Sequence, residues 1–298
     1  GCVEFLAMPY YASLASLYST DEFAQQVAEH MDLMQELFGQ KPTVLWNTSM
    51  LYSNAIAAQA YDMGFKGIMA DGNSRMMSNR HINDLQCAPL IAKTKTLIRN
   101  RHLSNDLAHR RVDPGWSEYP LSPYTFANWL TEQEGQVVNL SMDYETLGER
   151  QTDSTGVFEF WRTIIMAALF NGNTFTTPGK AVKRFRSTGT LDCPNPVSCT
   201  TFGTTTQWNG NVMQQEAIKK IYDPESAVKA SEDRDMIHVW RKLQSADHFH
   251  YMEKTNGFTP YPSPYDAYIY YMNALADLQV RVKREAEIVH KADRTNLA

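Results

Sequence analysis

Between residues 43 and 99, short apolar runs alternate with segments of helical periodicity, and this alternation restricts the chain to a parallel α/β sheet or barrel. Residues 43–46 and 67–70 read as strands, with a helix over 54–63 between them. Residues 3–6, 95–99 and 137–140 supply further strands, and a helix begins near Ser122 and Pro123 and carries Phe126, Trp129 and Leu130. Ahead of the first of these pairs, Ser19 and Glu22 form a capping box. Phe23, Val27, Met31, Met34 and Phe38 then recur at helical spacing until Gly39, so this stripe, methionines included, is expected in the core.

The pattern changes after residue 178. Residues 187–207 are rich in Thr, Ser, Gly and Pro and read as a linking loop. Beyond it, residues 212–222, 233–252 and 263–289 are expected to be helical, the last opening on Ser263 as cap, Pro264 in the first turn and Asp266 at the positive end of the dipole. The expected organisation is a barrel part over 1–186, the linking loop over 187–207 and a helical domain over 208–298.

A chain of 298 residues with 43% hydrophobic and 20% charged residues can bury a large core. The net charge of -5 offers no general attraction to nucleic acid or an anionic membrane, and Lys180, Lys183, Arg184 and Arg186 are too few to reverse it. No apolar run reaches membrane-spanning length. Cys2, Cys87, Cys193 and Cys199 are scattered in a chain too large to need staples, which points to reduced thiols and a cytoplasmic protein.

The chemistry concentrates where residues 137–140 open into Ser141-Met142-Asp143-Tyr144-Glu145-Thr146-Leu147-Gly148-Glu149-Arg150. An α/β barrel places its reactive groups at such strand ends. This decapeptide resembles the general-acid motif of the amylase-type members of glycoside hydrolase family 57, retaining enzymes that cut α-glucans. Collinear blocks extend the likeness along nearly the whole chain: Lys41-Pro42-Thr43-Val44-Leu45-Trp46-Asn47-Thr48, Gly64-Phe65-Lys66-Gly67-Ile68, Trp116-Ser117-Glu118-Tyr119-Pro120-Leu121, Trp208-Asn209-Gly210-Asn211-Val212-Met213-Gln214 and Asp247-His248-Phe249. The resemblance implies an incomplete form of the family's distorted seven-stranded β/α barrel followed by a C-terminal helical bundle. It also implies Asp143 as general acid with Glu145 in support, and Trp116, Glu118, Trp208, Asn211 and His248 as substrate-binding positions.

One position departs from the family pattern in a way that decides the chemistry. Asn47-Thr48 is followed by Ser49, where the family carries its nucleophilic Glu. Retaining cleavage needs two carboxyl groups about 5–5.5 Å apart. A hydroxyl without a base is a poor nucleophile, and an acetal offers no carbonyl for oxyanion-hole chemistry. Further departures are Ala7-Met8-Pro9-Tyr10 in place of Gly-Glu-Thr-Tyr, Ala12 in place of a His, the acid-free Thr200-Thr201-Phe202-Gly203-Thr204-Thr205-Thr206, and Arg150 in place of the His that follows Gly-Glu.

The expectation is therefore an amylase-like protein, a pseudoenzyme that binds an α-glucan or maltooligosaccharide and hydrolyses it weakly or not at all, with no cofactor. An active glycosidase using another carboxylate, with Asp71 first and Glu118 next, is the alternative. A structural or regulatory protein whose cleft no longer binds sugar is the third reading. His248 and His250 face different directions on a helix and make a poor metal pair, so no metal site is expected. Trp116 and Trp208 read equally as core residues or as faces for a sugar ring.

Overall fold

The computed structural model describes residues 3–77, 80–254 and 259–296, which leaves Cys2 outside the described residues. The chain divides into two compact units interleaved in sequence. The first comprises residues 1–6, 42–46 and 50–199, and the second residues 7–41, 47–49 and 200–298.

The first unit is built on a five-stranded sheet in the order β1-β2-β4-β3-β5. Strands β1 (Val44–Leu45), β2 (Gly67–Asp71) and β4 (Ile91–Arg99) run parallel, with Val44 beside Gly67 and Asp71 beside Arg99. All five residues of β2 are buried, as a parallel strand covered on both faces requires. The helix Asn54–Asp62 packs on β2 and β4, and the helix Pro178–Arg184 also packs on these two strands. Gly67 permits the second approach, because a Cβ there would meet Val182 Cγ1 at 2.7 Å. Val44, Met69, Leu97, Ala181 and Val182 form the core at this contact.

Two strands escaped the sequence pattern. β3 (Gln86–Ala88) pairs antiparallel with β4, and β5 (Gly189–Thr190) pairs parallel with β3, setting Gln86 beside Gly189. The segment expected as a linking loop over 187–207 thus begins as a sheet edge. Residues 3–6 form no assigned strand, although the Glu4 carboxylate accepts the Gly179 N–H at 2.7 Å. A second core lies in the same unit, where Phe126, Ile164 and Leu107 hold together the helices Arg101–Ala108, Pro123–Thr131 and Val157–Phe170.

The second unit is helical. Ser19 caps the helix Thr20–Phe38 by accepting the Glu22 N–H, and Gly39 ends it in the left-handed conformation at φ 64. Phe23 and Val27 are buried as the stripe predicts, but Met31 and Met34 are half-buried and Phe38 is exposed, so the stripe leaves the core in its second half. The helix Val212–Tyr222 matches expectation, and the last helix, Pro264–Asn296, starts as expected but runs beyond the expected end at 289. The helix expected over 233–252 is broken into Arg234–Lys242 and Ala246–His250. Ser245 pairs there with Ser13 and the Ala246 N–H goes to Ala12 O, which diverts the backbone between the two pieces. Trp240, fully buried, donates its indole N–H to Ile221 O at 2.7 Å. The buried Glu22 is neutralised by Arg241 and Lys229 at 2.8 and 3.2 Å, as a carboxylate removed from water requires.

Candidate active site at the strand ends

In the first unit, the segment that leads to Asp143 is held in strand position by side chains more than by a ladder. Among the described residues its sole backbone pairing to the sheet is a parallel bridge from Asn139 to Arg99, so the strand expected over 137–140 is reduced to one paired residue. Asn100 N–H donates to Asn139 O at 2.8 Å, and the Asn139 amide donates to Ile98 O at 3.0 Å. Ser141 N–H donates to Ser104 Oγ, and Ser141 O accepts from Arg99 Nε at 3.0 Å.

Arg99 is the hub of this arrangement. Its Nη1 donates to Asp71 Oδ1 at 2.9 Å and its Nη2 to Asn105 Oδ1 at 2.8 Å. Arg101 Nη1 takes the other Asp71 oxygen, also at 2.9 Å. Asp71 is 0% exposed with both oxygens engaged by guanidinium groups, so it is a structural counter-ion. A group attacking an anomeric carbon needs an oxygen with access to the sugar, and in this geometry Asp71 is buried with both oxygens held. Asp71 and Arg99 sit side by side at the ends of adjacent parallel strands. Strand register is the signal that would have exposed the pair in the sequence.

Beyond Ser141 the chain turns outward. Asp143 is extended at φ -65 and ψ 147 and opens the single 3-10 turn Tyr144–Thr146. Its side chain is exposed, and Arg150 Nη1 donates to its Oδ2 at 2.7 Å. Arg150 N–H also donates to Glu145 O at 2.9 Å, closing the loop on itself. Gly148 sits at φ 104, a conformation that side chains rarely adopt, and allows the tight return. Gln151 anchors the far end: its amide donates to Leu107 O and Ala108 O, while its Oε1 accepts two bonds from Arg111. The Glu145 and Glu149 side chains are exposed.

The titratable neighbours register these charges. Burial, and next the Arg150 guanidinium, hold His109 below the usual imidazole range, against the opposite pull of Asp143. Burial, with the Asp71 carboxylate second, pushes the Cys199 thiol up to about 11, so that cysteine is an unreactive thiol near neutrality.

The remaining sequence-derived positions are distributed over both units. Trp116 is half-buried, packed edge-on to Trp129 at 6.2 Å, and Glu118 is exposed on the same loop. In the second unit, Trp208 is 2% exposed. Asn211 caps the helix Val212–Tyr222 in a capping box and donates to Met252 O. His248 is half-buried, its Nε2 3.2 Å from Lys242 O and its ring 5.3 Å from that of Tyr271. Ser49 also belongs to the second unit. It lies in the left-handed region at φ 47 and ψ 35, followed by Met50 at φ 51. The residues before it are pinned, Thr48 Oγ1 donating to Ser13 O and the Asn47 amide to Ser16 Oγ. Left-handed geometry at a non-glycine residue costs about 1–3 kcal/mol and clusters at functional positions. Among the described residues no group of three or more His, Cys, Asp or Glu is arranged to hold a metal ion.

The sequence profile of Glycosyl hydrolase family 57 matches residues 1–194. The chain belongs to glycosyl hydrolase family 57. A protein of Methanocaldococcus jannaschii, provisionally named an alpha-amylase, is 32% identical over 304 residues, covering 95% of this chain and 65% of the relative. The chain thus spans just under two thirds of that family member's length. Its fold is similar to that of a GH57 branching enzyme from Thermococcus kodakaraensis, with a TM-score of 0.69 at 12% identity, over 95% of this chain and 66% of that one. It is likewise similar to an alpha-amylase from Thermotoga maritima, with a TM-score of 0.59 at 10% identity, over 94% and 67%. The mixed α/β sheet and the helical C-terminal region are therefore those of a GH57 β/α-barrel protein.

Proposed function

We propose that this GH57 chain is an α-glucan-binding, amylase-like protein in which hydrolysis is impaired. The observation that carries the reading is Ser49 at the position of the family's nucleophile. The acid position, Asp143, is retained at the end of the acid-bearing segment, but retaining chemistry requires a second carboxylate that a hydroxyl cannot replace. The two-fold pairing of the buried Asp71 supports this reading over a working enzyme with a relocated nucleophile. The proposed ligand is an α-glucan or maltooligosaccharide, and free Cys87, Cys193 and Cys199 are consistent with a cytoplasmic setting.

The test pairs two measurements on the purified protein: binding of maltoheptaose by calorimetry, and release of reducing ends from the same sugar. Binding without release is the expected result. Turnover abolished by Asp143→Asn would establish a working glycosidase instead, and absence of binding would leave a structural role.

A further inference from the structure

A polar recess of about 640 Å³ lies within the first unit where β3 meets β5. Arg80, His81, Asp84 and Gln86 line it on one side and residues 188–190 on the other, so it shares no residue with the acid loop. The strand pairing builds it: Gln86 lies beside Gly189 in the parallel register, and Thr188 N–H donates to Leu85 O at 2.9 Å. Arg80 is tied down through its Nε, which donates to Thr190 O at 2.6 Å. His81 is seated against Gly135, where φ is 104 and a Cβ would meet the His81 Nδ1 at 2.9 Å.

These anchors leave the polar ends of the side chains uncommitted. Among the described residues, neither the Nη groups of Arg80 nor the ring nitrogens of His81 have a hydrogen-bond or ion-pair partner. Asp84 pairs with neither of them, and its carboxylate receives one long contact, from Thr188 Oγ1 at 3.5 Å. Gln86 is 3% exposed; its Nε2 donates to Thr188 Oγ1 at 3.0 Å, while its Oε1 is buried with no donor among the described residues. A Cβ on Gly189 would lie 3.1 Å from that oxygen, so the glycine keeps the approach to it open. A buried acceptor without a donor is rare in folded chains and costs stability.

This set of groups selects the chemistry of a ligand. An anion would satisfy Arg80 and His81 but would face the Asp84 carboxylate and could donate nothing to Gln86. A cation would face Arg80. Neighbouring hydroxyls on a neutral ligand meet both demands, since each accepts from a guanidinium or imidazole N–H and donates to a carboxylate or amide oxygen. We infer that this recess is a carbohydrate site separate from the acid loop, where Arg80, Asp84 and Gln86 hold the hydroxyls of a pyranose unit. That the sugar belongs to an α-glucan rests on the function proposed above; the site itself does not.

Amide NMR spectra of the whole chain, titrated separately with maltotriose, cellotriose and inorganic phosphate, test the assignment. Maltotriose is expected to give saturable shifts at the Thr188, Gly189 and Thr190 amides. Asp84→Ala should raise the Kd read there by at least about tenfold, the scale of a hydrogen bond to a charged group. Gly189→Val closes the approach to Gln86 Oε1 with a residue that strands accept, and should weaken binding as far. Neither variant should change any response at Asp143 and Tyr144, which report on the acid loop. Saturable shifts at the recess with cellotriose but not maltotriose would keep the site and overturn the α-glucan reading. A maltotriose response confined to Asp143 and Tyr144 would overturn this site and leave that reading standing. Recess amides that stay silent with both sugars, that respond equally in both variants, or that saturate with inorganic phosphate would also overturn the proposal.

Discussion

Arg150 donates to the exposed carboxylate of Asp143 at 2.7 Å, and both residues lie on the loop that follows the acid-bearing segment. The pair is solvated, so its contribution to stability is small, within about 1 kcal/mol for such ion pairs. Its effect falls on the group: for the proposed acid role, one of the two Asp143 carboxylate oxygens is occupied by a guanidinium. A double-mutant cycle of Arg150→Ala and Asp143→Asn by urea denaturation should give a coupling energy below about 1 kcal/mol. A larger coupling would mean that the pair holds the loop together and that its position at the acid is incidental.

Asp71 should behave in the opposite way. Its carboxylate is buried and pairs with both Arg99 and Arg101, and Arg99 in turn holds Ser141 O. Asp71→Asn keeps the shape but removes the buried negative charge that both guanidiniums face, at a cost of about 3–5 kcal/mol. Denaturant unfolding would measure it. A loss under about 1 kcal/mol, the scale of a surface pair, would contradict the buried counter-ion role.

How much of this was legible in the sequence depended on whether a residue's partner was local. Strands β1, β2 and β4 announce themselves by apolar runs between helices, and the caps at Ser19 and Ser263 each accept the expected backbone N–H. β3 and β5 are short, and the Gly189-Thr190 pair of β5 becomes a strand only because Gln86 and Cys87 lie beside it. Phe38 follows helical periodicity yet is exposed, since periodicity marks a face without saying how far its partner extends. The same holds at the site. Asp143 was found through its motif, whereas the roles of Asp71 and Gln151 depend on Arg99, Arg101 and Arg111, which only strand register and loop closure bring to them.

Acid should weaken the fold above the range where carboxylates titrate. Burial holds His30, His109, His248 and His250 below the ordinary imidazole value of about 6.5. Between that depressed value and 6.5 the unfolded chain binds more protons than the folded one, so stability is fully present above pH 6.5 and falls as pH drops through the window. Partial exposure of these rings screens the effect. Thermal unfolding should therefore give a lower Tm at pH 5.5 than at pH 7.5, and His248→Gln, at the most deeply placed ring, should narrow the gap. A Tm that is level or rising toward pH 5.5 would refute the assignment.

The nucleophile position offers the most direct chemical test. On the proposed reading, Ser49→Glu supplies the carboxylate that the nucleophile position lacks, on a backbone already in the left-handed region at φ 47 and pinned through Thr48 and Asn47. If the absent carboxylate is the main lesion, the variant should release reducing ends from maltoheptaose where the natural chain does not. A positioned general acid contributes about a hundredfold to ten-thousandfold, so adding Asp143→Asn should remove at least about a hundredfold of the gained rate. Four other changes oppose the gain: Met8, Ala12, the acid-free run at 200–206, and Arg150 on the Asp143 carboxylate. Lost subsites remove the binding energy that positions the ring. Glucan affinity measured beside turnover separates the causes. Activity equal in Ser49→Glu with and without Asp143→Asn, at unchanged affinity, would exclude Asp143 as the acid. Intact affinity with no activity in Ser49→Glu would place the lesion beyond the nucleophile, and Arg150→His in the same background is the next substitution expected to raise the rate.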